Sequence, residues 1–222
     1  SDQTASVYAG TASGVWKSVD GGLNWREINS GITDLNIKAL AIDPNDSQKL
    51  YAGSAGGAIY RTSNGGSNWN ALRASGTAIN EIAVHPLDSS LIYAATAGAR
   101  LLVSSNGGST WTAKGPSLAD RSVISVETVS DTLAVLYIAT GSNGVWRSAN
   151  GGAGWQAVNN GLTNLQMTAL AVDAADVTKL FAAAQNGLFR SDNEGASWAL
   201  LLPSATIGLV RAFEFNALHP NI

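Results

Sequence analysis

SVDGGLNW, residues 18–25, opens on a small hydroxyl, turns through Asp-Gly-Gly and ends on a tryptophan. It recurs as TSNGGSNW at 62, SSNGGSTW at 104, SANGGAGW at 148 and SDNEGASW at 191, so successive starts lie 44, 42, 44 and 43 residues apart. A fixed period of that length is one supersecondary unit, and such units bury a core only by leaning on their neighbours. Between octets the chain reads as short strands. In the first full copy these are NIKALAID, KLYAGS, AIYRTS and NWNALRA, each rich in apolar or aromatic residues and bounded by Gly, Asn, Asp or Pro. No stretch of ten or more residues shows helical periodicity with caps, which argues against a βαβ solenoid.

Four strands per unit and five units lead to an all-β expectation: a five-bladed β-propeller of four-stranded antiparallel blades. The ends suggest how the ring would close. LVRAFEFNALHPNI at the carboxyl end matches the first strand and turn of a unit, and SVYAG at residues 6–10 matches the second strand of the next, KLYAG. A C-terminal inner strand pairing with the N-terminal strands would close the ring and remove its open edges. The expected organisation is a single domain, 1–222, with blade 1 at 1–30 plus 207–222, blade 2 at 31–74, blade 3 at 75–116, blade 4 at 117–160 and blade 5 at 161–206.

Composition narrows the function classes. The chain has 222 residues, 45% hydrophobic and 13% charged, with a formal net charge of −3 and both signs scattered. That predicts a globular chain and neither a nucleic-acid nor a membrane partner. No cysteine is present, so disulfides and thiolate metal sites are excluded. No run of 18 apolar residues offers a span and the amino terminus lacks signal-peptide character.

The five phased octets resemble Asp-boxes, the bacterial neuraminidase repeat with the pattern Ser/Thr-x-Asp-x-Gly-x-Thr/Ser-Trp, and the likeness covers essentially the whole chain. Relatives of that kind include sialidases, xyloglucanase-type glycoside hydrolases, sortilin-type receptors and a photosystem II assembly factor. The resemblance therefore implies architecture more than function. Within the octets Asp20, Asn64, Asn106, Asn150 and Asn193 are suited to bonding nearby backbone amides, and the following glycines to positive φ. Trp25, Trp69, Trp111, Trp155 and Trp198 bring large apolar surfaces to the outer strand. Four of the five family aspartates are asparagine here, which keeps the hydrogen bonds and discards the charge, so the octets read as structural.

Two other positions repeat. Asp43, His85, Asp173 and His219 follow an inner strand, three of them before proline, and the turn's own backbone is the expected partner rather than a metal ion. Trp16, Tyr60, Leu102, Trp146 and Phe189 precede each octet, four of them followed by Lys17, Arg61, Arg147 or Arg190. They read as core beneath a snorkelling cation.

Binding is expected on the face whose loops vary between units, with Asp34, Arg100, Asp120, Arg121, Asn143 and Arg211 as ligand-binding candidates. No arginine triad, Ser-His-Asp constellation, phosphate loop or HExxH can be placed. The leading expectation is thus a non-catalytic binding or scaffold module, leaning away from an enzyme, with no catalytic residue, metal or cofactor and a protein or glycan ligand. The alternative is a glycoside hydrolase of sialidase or xyloglucanase type, or a multivalent lectin. An extracellular, periplasmic or cell-envelope setting is expected, as a monomer, with a strand-exchanged dimer as the other option.

Overall fold

The computed structural model describes residues 6–74, 76–98, 100–114, 122–129 and 132–213. The described residues form five antiparallel sheets in chain order. The first has three strands, β1 (Val7–Thr11), β2 (Gly14–Ser18) and β3 (Arg26–Glu27). The second contains β4 (Ile37–Asp43), β5 (Asp46–Ser54), β6 (Ala58–Thr62) and β7 (Asn70–Ala74). The third runs through β8 (Ile79–His85), β9 (Asp88–Thr96), β10 (Leu101–Ser104) and β11 (Thr112–Lys114). Next come β12 (Val123–Thr128), β13 (Leu136–Thr140), β14 (Gly144–Ser148) and β15 (Gln156–Ala157). The fifth sheet is β16 (Met167–Val172), β17 (Leu180–Ala184), β18 (Gly187–Ser191) and β19 (Ala199–Pro203), followed by one helical turn, α1 (Ser204–Ile207).

Each of the three middle sheets is buried on both faces because consecutive residues of its second strand point into different cores. Leu50 packs with Val15, Ile37 and Trp69 between the first and second sheets, while Tyr51 packs with Ile79, Ile92 and Leu102 between the second and third. Tyr93, Leu101 and Val123 join the third sheet to the fourth, with Leu136 on the same side; Tyr137 faces the next core with Met167, Phe189 and Trp198. Four cores thus hold five sheets. This two-sided burial explains why the second strands read as nearly unbroken apolar runs instead of strict alternation.

The octets are the turns into the outer strands, and one bond pattern serves all five. Ser18 Oγ accepts from Gly22 N at 2.8 Å and donates to Asp20 Oδ1 at 2.7 Å, which in turn accepts from Asn24 N at 2.9 Å. Thr62 with Asn64, Ser104 with Asn106, Ser148 with Asn150 and Ser191 with Asn193 repeat it. The second octet glycine is left-handed throughout, from φ 83° at Gly152 and Gly195 to 95° at Gly22. In the fifth octet Glu194 takes the position of the first glycine and keeps its left-handed backbone, φ 58°.

The turns also latch one sheet to the next. Lys17 Nζ donates to Gly65 O at 3.2 Å, Arg61 Nη1 to Gly107 O at 2.8 Å, and Tyr137 Oη to Glu194 O at 3.1 Å. Trp69 Nε1 reaches back to Ile28 O and Trp198 Nε1 to Val158 O, both at 2.7 Å. Among the large apolar residues that precede the octets, Tyr60, Leu102 and Phe189 are buried and Trp16 and Trp146 half-buried.

The closed five-bladed propeller expected from the sequence does not form. Among the described residues five separate sheets stand in series, none closed into a ring, and the first has three strands; residues 214–222 of the expected closing segment lie outside the described residues. Leu209–Phe213 holds no strand and lies against the fifth sheet instead. Thr168 Oγ1 donates to Val210 O at 2.6 Å and the Phe213 ring stands 6.5 Å from Phe181. A repeat pattern reports strand propensity, whereas pairing needs the segment to reach its partner, and here tertiary contacts anchor it elsewhere. Consistent with open ends, Val7 and Trp25 on the first sheet and every residue of β19 on the last are exposed among the described residues. His219 lies outside the described residues.

Candidate functional site

The first strand of each four-stranded sheet carries a β-bulge at one fixed place, after Ile37, Ile79, Val123 and Met167. A bulge re-aims the extra side chain, and Asn80 and Thr168 use theirs to cross to the next segment, bonding Val123 O at 2.7 Å and Val210 O at 2.6 Å. The shared register makes the strands comparable residue by residue. Ala39, Glu81, Ser125 and Ala169 are equivalent, pairing with Gly53, Ala95, Ala139 and Ala183; so are Ala41, Ala83, Glu127 and Ala171, pairing with Tyr51, Tyr93, Tyr137 and Phe181. Two glutamates therefore stand where the other sheets place small residues.

Those glutamates line one cavity of about 310 Å³ with Ser125, Thr168, Arg211 and Phe213. Glu81 Oε2 accepts from Val126 N across the sheet junction at 2.7 Å, and Ser125 Oγ donates to Glu127 Oε1 at 3.4 Å. Burial is the largest influence on both. It raises Glu81 above the usual carboxylate range against the bonds from Val126 and Ser125. Glu127 is pushed well above that range by burial first and by the negative Glu81 second, and its bonds from Ser125 and the Val172 amide do not offset them. Glu127 is thus the more strongly perturbed of the two carboxyls, pushed toward its protonated form by burial and by Glu81.

A larger cavity, about 450 Å³, separates the fourth and fifth sheets and is lined by Arg147, Gln156, Asn159, Asn160, Asn193 and Glu194. Its polar groups are largely committed to the joint. Arg147 Nη2 meets Glu194 Oε2 at 2.9 Å, Asn159 Oδ1 accepts from Val145 N at 2.8 Å, and Asn193 caps its own octet. The smaller cavity is the better candidate because its carboxyls are not consumed by ion pairs.

Of the binding residues expected from sequence that are among the described residues, only Arg211 lines that cavity. Asp34 organises its own loop, accepting from Gly56 N at 2.9 Å and Asn36 N at 3.2 Å, and the bonds from Ser54 and Gly56 hold its carboxyl below the usual range. Arg100 caps the turn between β9 and β10 through its backbone, its carbonyl accepting from Thr96 Oγ1 at 2.7 Å. Asn143 closes the turn between β13 and β14, its carbonyl accepting from Trp146 Nε1 and Asn159 Nδ2, each at 3.1 Å. Asp120 and Arg121 lie outside the described residues.

The repeating turn residues bond their own backbone. Asp43 Oδ1 accepts from Asn45 N at 2.9 Å, Asp173 Oδ1 from Ala175 N at 2.8 Å, and His85 Nδ1 from Leu87 N at 3.2 Å. With Nδ1 accepting, His85 carries its proton on Nε2, which donates to Thr132 O at 3.1 Å, and burial depresses its pKa. Among the described residues no group of three His, Cys, Asp or Glu side chains is placed to hold a metal ion.

Glu81 and Glu127 were missed because the octets anchor the sequence comparison on the outer strands. The signal lay in the first strands, where INEIAVH and VISVET put an acid at positions held by alanine in IKALAID and MTALAV.

Comparison with known proteins places the fold. A family described as Sortilin, neurotensin receptor 3 (Sortilin-Vps10), matches residues 13–114, under half of the chain. The Asp-box resemblance read from the octets is corrected on this point, since no specific match to that repeat family accompanies it. No curated protein matches the chain. Among solved structures, an ancestral GH74 enzyme is 24% identical, with a TM-score of 0.73 over 90% of this chain and 30% of its own. The GH74 enzyme of Niastella koreensis is 23% identical, with a TM-score of 0.75 over 90% of this chain and 36% of its own. The GH74 xyloglucanase of Xanthomonas campestris is 18% identical, with a TM-score of 0.56 over 88% of this chain and 43% of its own. The chain spans about a third of the first two enzymes' length. The expectation of a purely non-catalytic scaffold, leaning away from an enzyme, is overturned: the fold that covers nine-tenths of the chain is one that GH74 enzymes carry. No helix among the described residues is long and apolar enough to cross a membrane.

Proposed function

We propose that the protein acts on glycans as a glycoside hydrolase or as the sheet-bearing part of one, with Glu81 and Glu127 as its carboxyl pair. The observation that carries this reading is the pair itself: two acids from adjacent sheets share one polar cavity, and Glu81 raises the pKa of Glu127. Glycoside hydrolysis needs two carboxyls in different protonation states flanking the scissile bond. Glu127, pushed toward its protonated form by burial and by its neighbour, is suited to donate a proton to the leaving-group oxygen as the C–O bond breaks. Glu81, oriented by the Val126 amide, is suited to accept the proton of the attacking water. Proton return from Glu81 to Glu127 through solvent resets the pair. The GH74 fold likeness supports the sugar class, and the xyloglucanase among those structures makes branched β-glucans the first substrates to try. A secreted or cell-envelope setting fits that substrate.

The test is release of reducing ends from xyloglucan and β-glucan oligosaccharides. Glu127→Gln and Glu81→Gln are each expected to lower kcat by about 10²–10⁴-fold, the usual contribution of a positioned acid or base. Turnover that survives both substitutions at the wild-type rate sinks the assignment.

A further inference from the structure

The cavity that holds the carboxyl pair has a cation at its rim that the hydrolytic step does not use. Arg211 is exposed, lies in a segment without regular structure that is tied to the fifth sheet through Val210, and lines the same cavity as Glu81 and Glu127. Among the described residues no carboxylate pairs with its guanidinium, unlike Arg147 with Glu194 or Arg190 with Asp192. We propose that Arg211 selects a glycan bearing a uronic acid residue, with the uronate carboxylate on its guanidinium and the sugar hydroxyls on Glu81, Ser125 and Glu127; this rests on the glycan-cleaving reading above.

Three features of the cavity point to that ligand. The planar fork of an arginine matches a carboxylate with two parallel N–H···O bonds, a pairing that a neutral sugar cannot supply. Phe213 beside Arg211 offers an apolar face to the carbon–hydrogen side of a sugar ring. The third is charge economy. A net charge of −3 and two acids in the site oppose a polyanion, so a single arginine fits one isolated monoanion on an otherwise neutral glycan better than a run of acidic sugars or a doubly charged phosphate.

Calorimetry with the whole chain tests this, using an oligosaccharide with one glucuronic acid residue, the same oligosaccharide after reduction of its carboxyl to the alcohol, and a sulfated counterpart. The acidic form is expected to bind about tenfold tighter than the reduced form, the range of one charge-assisted bond. Arg211→Gln should bring the ratio close to one, and Arg211→Lys, which keeps charge without the fork, should fall between. A ratio near one in the wild type, no binding of either form, an unchanged ratio in Arg211→Gln, or a tighter sulfated ligand each overturns the uronate assignment. Turnover of the reduced form separates the two levels. Glu127-dependent turnover with a binding ratio of one leaves the hydrolase reading and removes the uronate, whereas a tenfold ratio with turnover indifferent to Glu127→Gln does the reverse.

Discussion

At the residue scale the informative positions are those where one copy of a repeat departs from the others. Glu127 replaces an alanine and pays for its burial with a raised pKa, so its linkage to stability has a definite sign. Below the ordinary carboxylate value of 4.5 it is protonated in both folded and unfolded chains, and its contribution is fully present. As pH rises toward the elevated folded value the unfolded chain releases its proton first, and stability is lost. Glu127→Gln removes that loss. Its melting temperature should match wild type near pH 4 and exceed it at pH 8, by about 2–4 °C for each kcal/mol in a chain of this size. Equal melting temperatures at both pH values would refute the burial account. Glu81, Ser125 and the Val172 amide bear on the same carboxyl, so Glu81→Gln should lower the pH at which the loss is complete and make the loss smaller. These acids were open to a reader who compared first strands, because an acid among alanines at one register is visible in INEIAVH and VISVET. Their sharing of a cavity was not, since it depends on how the third and fourth sheets pack.

At the element scale the octet does in structure what its residue types suggest. The hydroxyl and the Asp or Asn bind the turn, a left-handed glycine completes it, and the tryptophan follows. The five tryptophans are nevertheless unequal. Trp69 is 2% exposed and donates to Ile28 O of the preceding sheet, whereas Trp25, with no sheet before it among the described residues, is 40% exposed and bonds its own turn at Gly22 O. Trp69→Phe leaves Ile28 O unpaired and a small void, with an expected cost of about 1–3 kcal/mol in urea unfolding. Trp25→Phe should cost under about 1 kcal/mol, as surface substitutions do. Similar costs at the two sites would mean that the indole bond across the joint contributes nothing. The shared octet pattern gave no hint of this difference, because it is set by what lies on the far side of each turn.

At the scale of the whole molecule, five sheets in series held by four cores give the ends one neighbour each and the middle sheets two. In such a stack stability sums over neighbouring interfaces, so the ends open first. Hydrogen exchange should be slowest in β5, β9 and β13, and faster in β1 and β19; protection of β1 equal to that of β9 would contradict an open stack. Repetition alone determined that this chain is all-β, that its unit is about 43 residues and that the octet is a structural turn, because strand periodicity and turn chemistry are local and five copies report them five times. Only the tertiary structure decided that the described sheets form an open series, that Leu209–Phe213 packs on the fifth sheet, and that Glu81, Glu127 and Arg211 meet in one cavity. Those outcomes rest on contacts between residues some 30 or more positions apart, and a pattern that repeats with the sheets cannot say which sheet a given side chain will face.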